Sequence, residues 1–479
     1  MGVVIKTFQT PLGCYVYDRS SNMIIRVEED DYPAFQKLEN GKEDDETAVL
    51  LVKYREQGIC RENVLEKIEH PATQTLSYHL EHRVQKITLQ LTQNCNLRCD
   101  YCAYSGKYNQ RTHNSGRMSL DTVKKSIDYA IEHSDGVENL NIGFYGGEPL
   151  LEFENLKNAV EYVDEKYHGR KVNYSITTNG TIMSDEIVKF LMEHDFSVLI
   201  SLDGPKELHN KNRVFANGEG SFDKIMQNLR YVKDNYPIFF EKISFNTVVP
   251  PGSDYQCIDH FFSANDIIED NQLSKTTVSE FNLKDAISYD DRYFVTYKYQ
   301  SLKILMAALG FYSKKKISKL FSTDFVEIQR FYDHLGKMTV CASCAHPGGP
   351  CIPGARRPMV DIDGNIFPCE RVSERSDAMR IGHVNAGCDT DKVDRLLNIG
   401  KLTEQECKKC WNFAHCGLCA SAADDGKALV KEKKLFFCDS SKRGTLNTMR
   451  SLCLLHEYHY DFEGDFFNEE DRIVSGTEK

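Results

Sequence analysis

The chain has 479 residues, enough for about three domains and for a sizeable core without disulfide staples. Its 41% hydrophobic and 27% charged residues are ordinary globular composition, and 59 basic against 71 acidic residues give a net charge of −12, which argues against sequence-independent nucleic-acid binding. The apolar runs at 48–52 and 304–309 fall far short of the roughly 18 residues a membrane span needs, and no signal peptide is read at the start. A soluble cytoplasmic protein with no nucleic-acid or membrane partner is the expectation.

Residues 1 to about 80 open with two β-prone apolar runs, 14–18 and 22–27, split by Arg19, Ser20 and Ser21. That reads as a hairpin. Helical patterns follow at 30–39, 44–57 and 61–69, the second with Val49, Leu51 and Val52 on an apolar side. From about residue 85, strands and helices alternate. Ile87, Leu89 and Leu91 alternate with Thr88, Gln90 and Thr92 in a strand over 86–92. Ser119 then caps a helix that carries Val123, Ile127, Ala130 and Ile131 at helical spacing. Strands at 141–145, 172–178, 197–203 and 243–249 are separated by helices at 152–167, 184–194 and 222–235. Such β–α units imply a parallel sheet or partial barrel, with chemistry at the C-terminal ends of the strands. Residues 255–335 read as mostly helical, with little strand signal.

Cysteine placement is the strongest signal. Eleven of the 17 cysteines lie from Cys341 to Cys453, at tight spacings in a long chain, which favours metal or iron–sulfur ligation over a disulfide scaffold. Cys14, Cys60 and Cys257 read as small buried hydrophobes, and Cys388 and Cys453 as structural. Directly after strand 86–92 stand Cys95, Cys99 and Cys102 on one short loop. Three thiolates there can hold three irons of a [4Fe–4S] cube and leave the fourth open. A structural zinc site would want a fourth protein ligand, and none lies nearby in sequence.

This CxxxCxxC loop, with Tyr101 before its last cysteine, resembles the radical S-adenosylmethionine (SAM) family. Gly146, Gly147, Glu148 and Pro149 end the next strand and resemble that family's GGEP motif, whose backbone and Glu engage the SAM amino group. The stretch from Asn179 and Gly180 through Ser201, Asp203, His209 and Arg213 resembles anaerobic sulfatase maturases and related peptide-modifying members. By that resemblance Tyr101 contacts adenine, while Asn179, Ser201, Asp203 and Arg213 approach the ribose, sulfonium or carboxylate. For Asp203 and Arg213 the plainer alternative is a structural ion pair.

The later cysteines resemble a SPASM domain, which holds two auxiliary [4Fe–4S] clusters. Cys351, Gly364 and Cys369 are followed by Cys407, Cys410, Cys416 and Cys419, then Cys438; the pair Cys416 and Cys419 is separated by two residues where the family has three. The resemblance implies a first auxiliary cluster on Cys351, Cys369, Cys419 and either Cys344 or Cys341. It implies a second on Cys407, Cys410, Cys416 and Cys438, three clusters in all. Structural zinc is the rival reading, since paired CxxC motifs suit it too.

The N-terminal pattern resembles a winged-helix-like recognition element of ribosomally made, post-translationally modified peptide (RiPP) maturases, which captures a leader peptide as an added edge strand. A folding appendage with no partner is the alternative. The resemblances imply an α/β fold: a recognition element over 1–80, a partial (β/α)6 radical SAM barrel with a helical extension over 81–335, and a SPASM domain over 336–479. They imply a maturase that cleaves SAM reductively, abstracts hydrogen from a precursor peptide carrying a leader, and installs thioether crosslinks at cysteine. A low-potential donor, flavodoxin- or ferredoxin-like, would supply the electron. The second reading is oxidation of Cys or Ser to formylglycine; there an Asp after the second SPASM cysteine acts as base, and Glu370 holds that place here. A metal-binding peptide chaperone is the non-enzymatic alternative.

Overall fold

In the computed structural model, residues 2–285, 287–289, 291–336, 342–347 and 351–464 are described. Cys341 lies outside them. The N-terminal hairpin gains a third strand: β1 (Ile5–Thr10), β2 (Gly13–Asp18) and β3 (Met23–Val27) form an antiparallel sheet in that order. Helices Tyr32–Glu39 and Asp45–Arg55 pack on it, but residues 61–69 are not the helix expected. They run irregularly into β4 (Lys67–Ile68), and the next helix is Leu76–His82. Val49 and Val52 also depart from expectation: they are 72% and 59% exposed, because Leu50, Leu51 and Tyr54 turn toward Phe35 and the sheet.

The two faces of β2 serve different cores. Cys14 and Val16 join Phe35, Leu38 and Leu50 in a small local core, whereas Tyr15 and Tyr17 join Phe8 in the main one. The N-terminal unit is therefore fastened to the body of the protein through aromatic side chains, each worth on the order of 2 kcal/mol or more when buried.

The body is a parallel sheet. β5 (Lys86–Gln90), β6 (Leu140–Tyr145), β7 (Val172–Thr178), β8 (Ser197–Ser201), β9 (Ser244–Val249) and β10 (Gln272–Thr277) pair in sequence order, the six strands of the expected partial barrel. Helices Leu120–Glu132, Phe153–Lys166, Asp185–Glu193 and Phe222–Asn235 cover its outside, and Ser119 and Ser184 cap the first and third by accepting the N–H of Thr122 and Ile187. β10 adds a strand to 255–335, which read as mostly helical with little strand signal. Its sequence, QLSKTT, has one apolar side chain, so it carries no alternation to read.

Within the sheet the two faces differ in chemistry. Ile87, Leu89, Ile176 and Ile200 point outward under the helices and are fully or almost fully buried. The inward positions are mostly small or polar, Lys86, Thr88, Ser175, Thr177, Ser197, Ser244, Asn246 and Ser274, with Tyr145, Leu199 and Val248 among them, so the lumen holds a cavity of mixed lining rather than a packed core.

Strand β11 (Cys344–Ala345) pairs parallel to β4, bringing the start of the cysteine-rich region to the N-terminal segment. Strand β12 (Met359–Val360) pairs parallel to β5, and β13 (Asn365–Phe367), β14 (Gly382–His383) and β15 (Gly387–Cys388) follow antiparallel. The cysteine-rich region thus extends the barrel sheet past its first strand. Helix Cys438–Glu457 returns to the N-terminal sheet, where Glu457 accepts the hydroxyls of Thr10 and Tyr15 (2.8 Å for Tyr15). No helix among the described residues is long and apolar enough to cross a membrane.

Candidate active site

The loop after β5 is held at both ends by backbone bonds. Gly147 N–H donates to Thr92 O and Glu148 N–H to Asn94 O, both at 2.9 Å. Further on, Arg98 N–H reaches Val214 O at 2.7 Å and Asp100 N–H reaches Asn212 O at 2.9 Å. Cys95 and Cys99 lie within this span and Cys102 two residues beyond it, where its N–H donates to Cys99 O at 3.2 Å. Cys95 Sγ accepts Leu97 N–H at 3.4 Å, Cys102 Sγ accepts Tyr104 N–H at 3.5 Å, and Arg213 Nη1 stands 3.8 Å from Cys99 Sγ. Burial pushes the Cys95 thiol up to about 12 and the Cys99 thiol to about 11. Bonding to iron is what makes such thiols thiolates. Three clustered sulfurs with N–H donors and a cation directed at them fit a [4Fe–4S] cube.

The glycine pair explains its own composition. A Cβ on Gly147 would sit 1.8 Å from Asn94 O, and one on Gly146 would sit 2.6 Å from Thr92 O. Only glycine lets the end of β6 approach the cysteine loop this closely. Gly147→Ala is expected to displace the loop and abolish both cluster retention and SAM cleavage, read as iron content and 5′-deoxyadenosine formation; near-normal values would refute this packing.

Glu148 is buried to 1% and accepts Leu150 N–H at 3.1 Å, Thr178 Oγ1–H at 2.8 Å and Asn179 N–H at 2.7 Å. Its carboxylate thus ties the end of β6 to the end of β7, while burial still raises its pKa. Pro149 begins the 3-10 turn that follows. Asn179 donates to Asn96 Oδ1 at 2.8 Å, and its Nδ2 lies 3.8 Å from Cys95 Sγ. Asp203 and Arg213 form a buried ion pair, Nε to Oδ2 at 2.9 Å, as the plainer reading had it. The pair also holds Tyr101, whose hydroxyl bonds Asp203 Oδ2 and whose ring lies 5.3 Å below the Arg213 guanidinium.

These groups surround a cavity of about 1420 Å³. Tyr101, Gly146, Gly147, Glu148, Asn179, Ser201 and Arg213 line it, together with the three loop cysteines; Pro149 and Asp203 support the wall from behind. The cavity descends the lumen and also meets the cysteine-rich region at Glu370, Arg371, Gly417, Leu418 and Ser441. Glu370 carries two flanking cations, Arg357 Nη1 at 3.4 Å and Arg371 Nε at 3.8 Å.

The remaining cysteines group in space. Besides burial, the main cause of the raised pKa values, Cys419 acts on both Cys351 and Cys369. Cys407 and Cys416 both act on Cys410 and on Cys438. Cys344 is exposed on β11, and its described contacts do not bring it to Cys351, Cys369 and Cys419. Among the described residues no three His, Cys, Asp or Glu side chains converge on a point as ligands of a single ion. A cube spreads its four thiolates over four irons instead.

Two arginines that the sequence does not single out brace these sites. Arg111, with a side chain 1% exposed, meets Glu374 at 2.8 Å and donates to the carbonyls of Glu370 and Val372, joining the first cysteine loop to the strand end after Cys369. Arg19, 3% exposed, donates to the carbonyls of Lys408 and Cys410 at 2.8 and 3.2 Å. Their partners lie more than 250 residues away, which no local pattern reveals.

Residues 89–264 match the family model described as the radical SAM superfamily. The chain carries a radical SAM domain. The chain is 42% identical over 141 residues to the cysteine-type anaerobic sulfatase-maturating enzyme of Clostridium novyi (strain NT), covering 29% of this chain and 37% of that one. It is 27% identical over 372 residues to the enzyme of the same name from Clostridium perfringens (strain 13 / Type A), covering 73% and 91%. The solved structure of native anSMEcpe with bound AdoMet and Cp18Cys peptide shares its fold, at 21% identity and TM-score 0.54, covering 78% of this chain and 99% of that one. The radical SAM family takes a [4Fe–4S] cluster and SAM.

Proposed function

We propose that this radical SAM enzyme matures a ribosomally made precursor peptide, with thioether formation at a peptide cysteine as the reaction. The observation that carries this reading is the cavity. At about 1420 Å³ it exceeds the roughly 300–1,000 Å³ of a small-molecule pocket, and it runs from the cysteine loop down the lumen and across to the cysteine-rich region. That is space for a cofactor and an extended peptide together. The edge of β3 that no strand pairs among the described residues supports a second contact, with a leader strand.

Cys95, Cys99 and Cys102 would hold the SAM-cleaving cluster, and Tyr101, the Gly146–Glu148 turn, Asn179, Ser201 and the Asp203–Arg213 pair would hold SAM. When bound, these cofactors supply a one-electron cleavage that yields a hydrogen-abstracting carbon radical. The chain's own residues bind and orient. Tyr101 is fixed between Asp203 and Arg213, Glu148 locks the ends of β6 and β7, and the polar side chains of the lumen hydrogen-bond the peptide backbone. Two further clusters, on Cys351, Cys369, Cys419 and an upstream cysteine and on Cys407, Cys410, Cys416 and Cys438, would take up the returning electron or hold a substrate thiolate.

Formylglycine formation is the second reading, supported by the names of the relatives and by Glu370 on the cavity wall. The flanking Arg357 and Arg371 weigh against it, because both already engage that carboxylate, at 3.4 and 3.8 Å. Anaerobic turnover with cysteine-containing peptides separates the two. A product that has lost two hydrogens and kept its sulfur supports thioether formation; one in which cysteine sulfur is lost supports formylglycine. If reductant elicits no SAM cleavage, the enzyme reading fails altogether.

A further inference from the structure

Among the described residues Lys86 is a lumen cation that the cofactor site does not account for; Lys242 also lines the cavity but pairs with Asp195 at 2.8 Å. Lys86 begins β5, points inward, and crosses over Gly143 to donate to Ser175 Oγ at 3.3 Å. A Cβ on Gly143 would meet Lys86 Cε at 2.8 Å and Nζ at 3.2 Å, so glycine leaves the channel through which the side chain passes. Among the described residues no carboxylate comes within 4 Å of its ammonium, and the charges acting on it are Glu370 and Arg357. Glu370 is already shared between Arg357 and Arg371. Glu241 and Glu280 also line the cavity, but on the β9 and β10 side, and neither is among the charges that act on Lys86.

The pairing of β12 with β5 sets Met359 beside Thr88, which places Arg357 level with Lys86 on the adjoining strand. Lys86 and Arg357, both half-buried, and the exposed Arg371 thus surround the carboxylate of Glu370, in a protein of net charge −12; Arg357 also acts on Cys351 and Cys369. Burial lowers the Lys86 pKa, as it does for an ammonium short of counter-charge. The spot is away from the SAM-cleaving loop, since Lys86 stands about 13 Å along the strand below Gln90 at ~3.3 Å per residue.

Resting on the peptide-maturase reading, we propose that Lys86 and Arg357 seat a carboxylate of the bound peptide, and that Lys86 thereby determines substrate specificity. The carboxylate is that of an acidic side chain or of the peptide's C-terminus. An extended peptide spans the distance from this seat to the cysteine loop in about four residues, which fixes the spacing between the anchored carboxylate and the modified residue.

The test uses the full-length, anaerobically reconstituted enzyme with SAM. The probes are synthetic peptides with one central cysteine in an alanine–glycine background and an amidated C-terminus. One series carries Asp at each position in turn, a second carries Asn, and a third has neither but ends in a free carboxylate. Binding is read by fluorescence anisotropy and 5′-deoxyadenosine formation on the same preparation. Wild type is expected to favour Asp over Asn by about tenfold at one register, about four residues from the cysteine, or to favour the free carboxylate if that is the source. Lys86→Met should reduce the preference to less than about twofold, with iron content and peptide-free SAM cleavage unchanged; Lys86→Arg should restore much of it. Gly143→Ala, which crowds the channel, should mimic Lys86→Met. Equal binding of the Asp, Asn and free-carboxylate series by wild type, including no binding of any, overturns the proposal, as does a preference that survives in Lys86→Met. Those failures with SAM cleavage intact count against this seat alone, whereas absent SAM cleavage counts against the enzyme reading.

Discussion

Replacing Cys95, Cys99 and Cys102 together with alanine should remove about four of about twelve irons per chain and abolish reductive SAM cleavage, leaving the other clusters in place. The separation is expected because the loop does not depend on its thiols for shape. Its backbone is pinned by the Thr92, Asn94, Val214 and Asn212 carbonyls, and Leu97 bridges to Phe215. The later cysteines lie on other segments: Arg19 and Lys434 brace those near Cys410 and Cys438, Lys434 donating to Thr403 Oγ1 at 2.7 Å within a helix that leads into Cys438, and the link to Cys369 runs through Arg111, which the variant keeps. Iron and sulfide analysis with electron paramagnetic resonance of the reduced variant checks this. Loss of all iron would mean that the clusters fold as one unit. Stoichiometric zinc in anaerobically purified wild type, with no iron chromophore, would sink the cluster reading itself.

The barrel was legible because its physics is local. Outward Ile87, Leu89 and Ile176 must be buried by amphipathic helices, and serines at 119 and 184 announce where two of those helices begin. The cysteine loop and the glycine pair were legible because close backbone approach and thiolate ligation restrict residue choice. What escaped was non-local or weakly patterned. Strand β10 is a polar edge, and β12 to β15 are two or three residues long, too short for alternation to register. The missed strand β1 and the false helix at 61–69 share a cause: both segments are shaped by what they pack on. β1 pairs with β2 while Phe8 reaches the main core, and β4 forms only because Cys344–Ala345 comes alongside. Lys86 carries no local signal of its own in the sequence. Its meaning depends on Gly143 and Ser175, 57 and 89 residues on, and on Arg357 across the sheet.

A proline on the outer edge of β3 should separate recognition of a precursor from catalysis. Deleting residues 1–80 would be a blunter cut, because Phe8, Tyr15 and Tyr17 belong to the main core and Arg19 holds the carbonyls beside Cys410. A deletion would expose that core and loosen a cysteine site together with any leader contact. The edge can be blocked alone. Among the described residues β3 pairs with β2 on one side only, which leaves its other backbone edge for an added strand. Neighbouring residues of a strand direct their N–H groups to opposite sides. Of Ile24→Pro and Ile25→Pro, one therefore removes a bond to β2 and the other removes only an outward donor, which an edge strand tolerates. The tolerated variant should keep its iron and cleave SAM at the wild-type rate without peptide. It should bind a leader-bearing precursor about tenfold or more weakly, since edge-strand hydrogen bonds carry the affinity and an ordered leader has an entropic cost to offset. Turnover of the same precursor without its leader should be unchanged. Isothermal titration and product mass spectrometry on both prolines, with and without leader, make the comparison. If the folded variant binds and modifies the full precursor as well as wild type does, β3 is not the recognition edge, and formylglycine formation on a partner protein becomes the stronger reading.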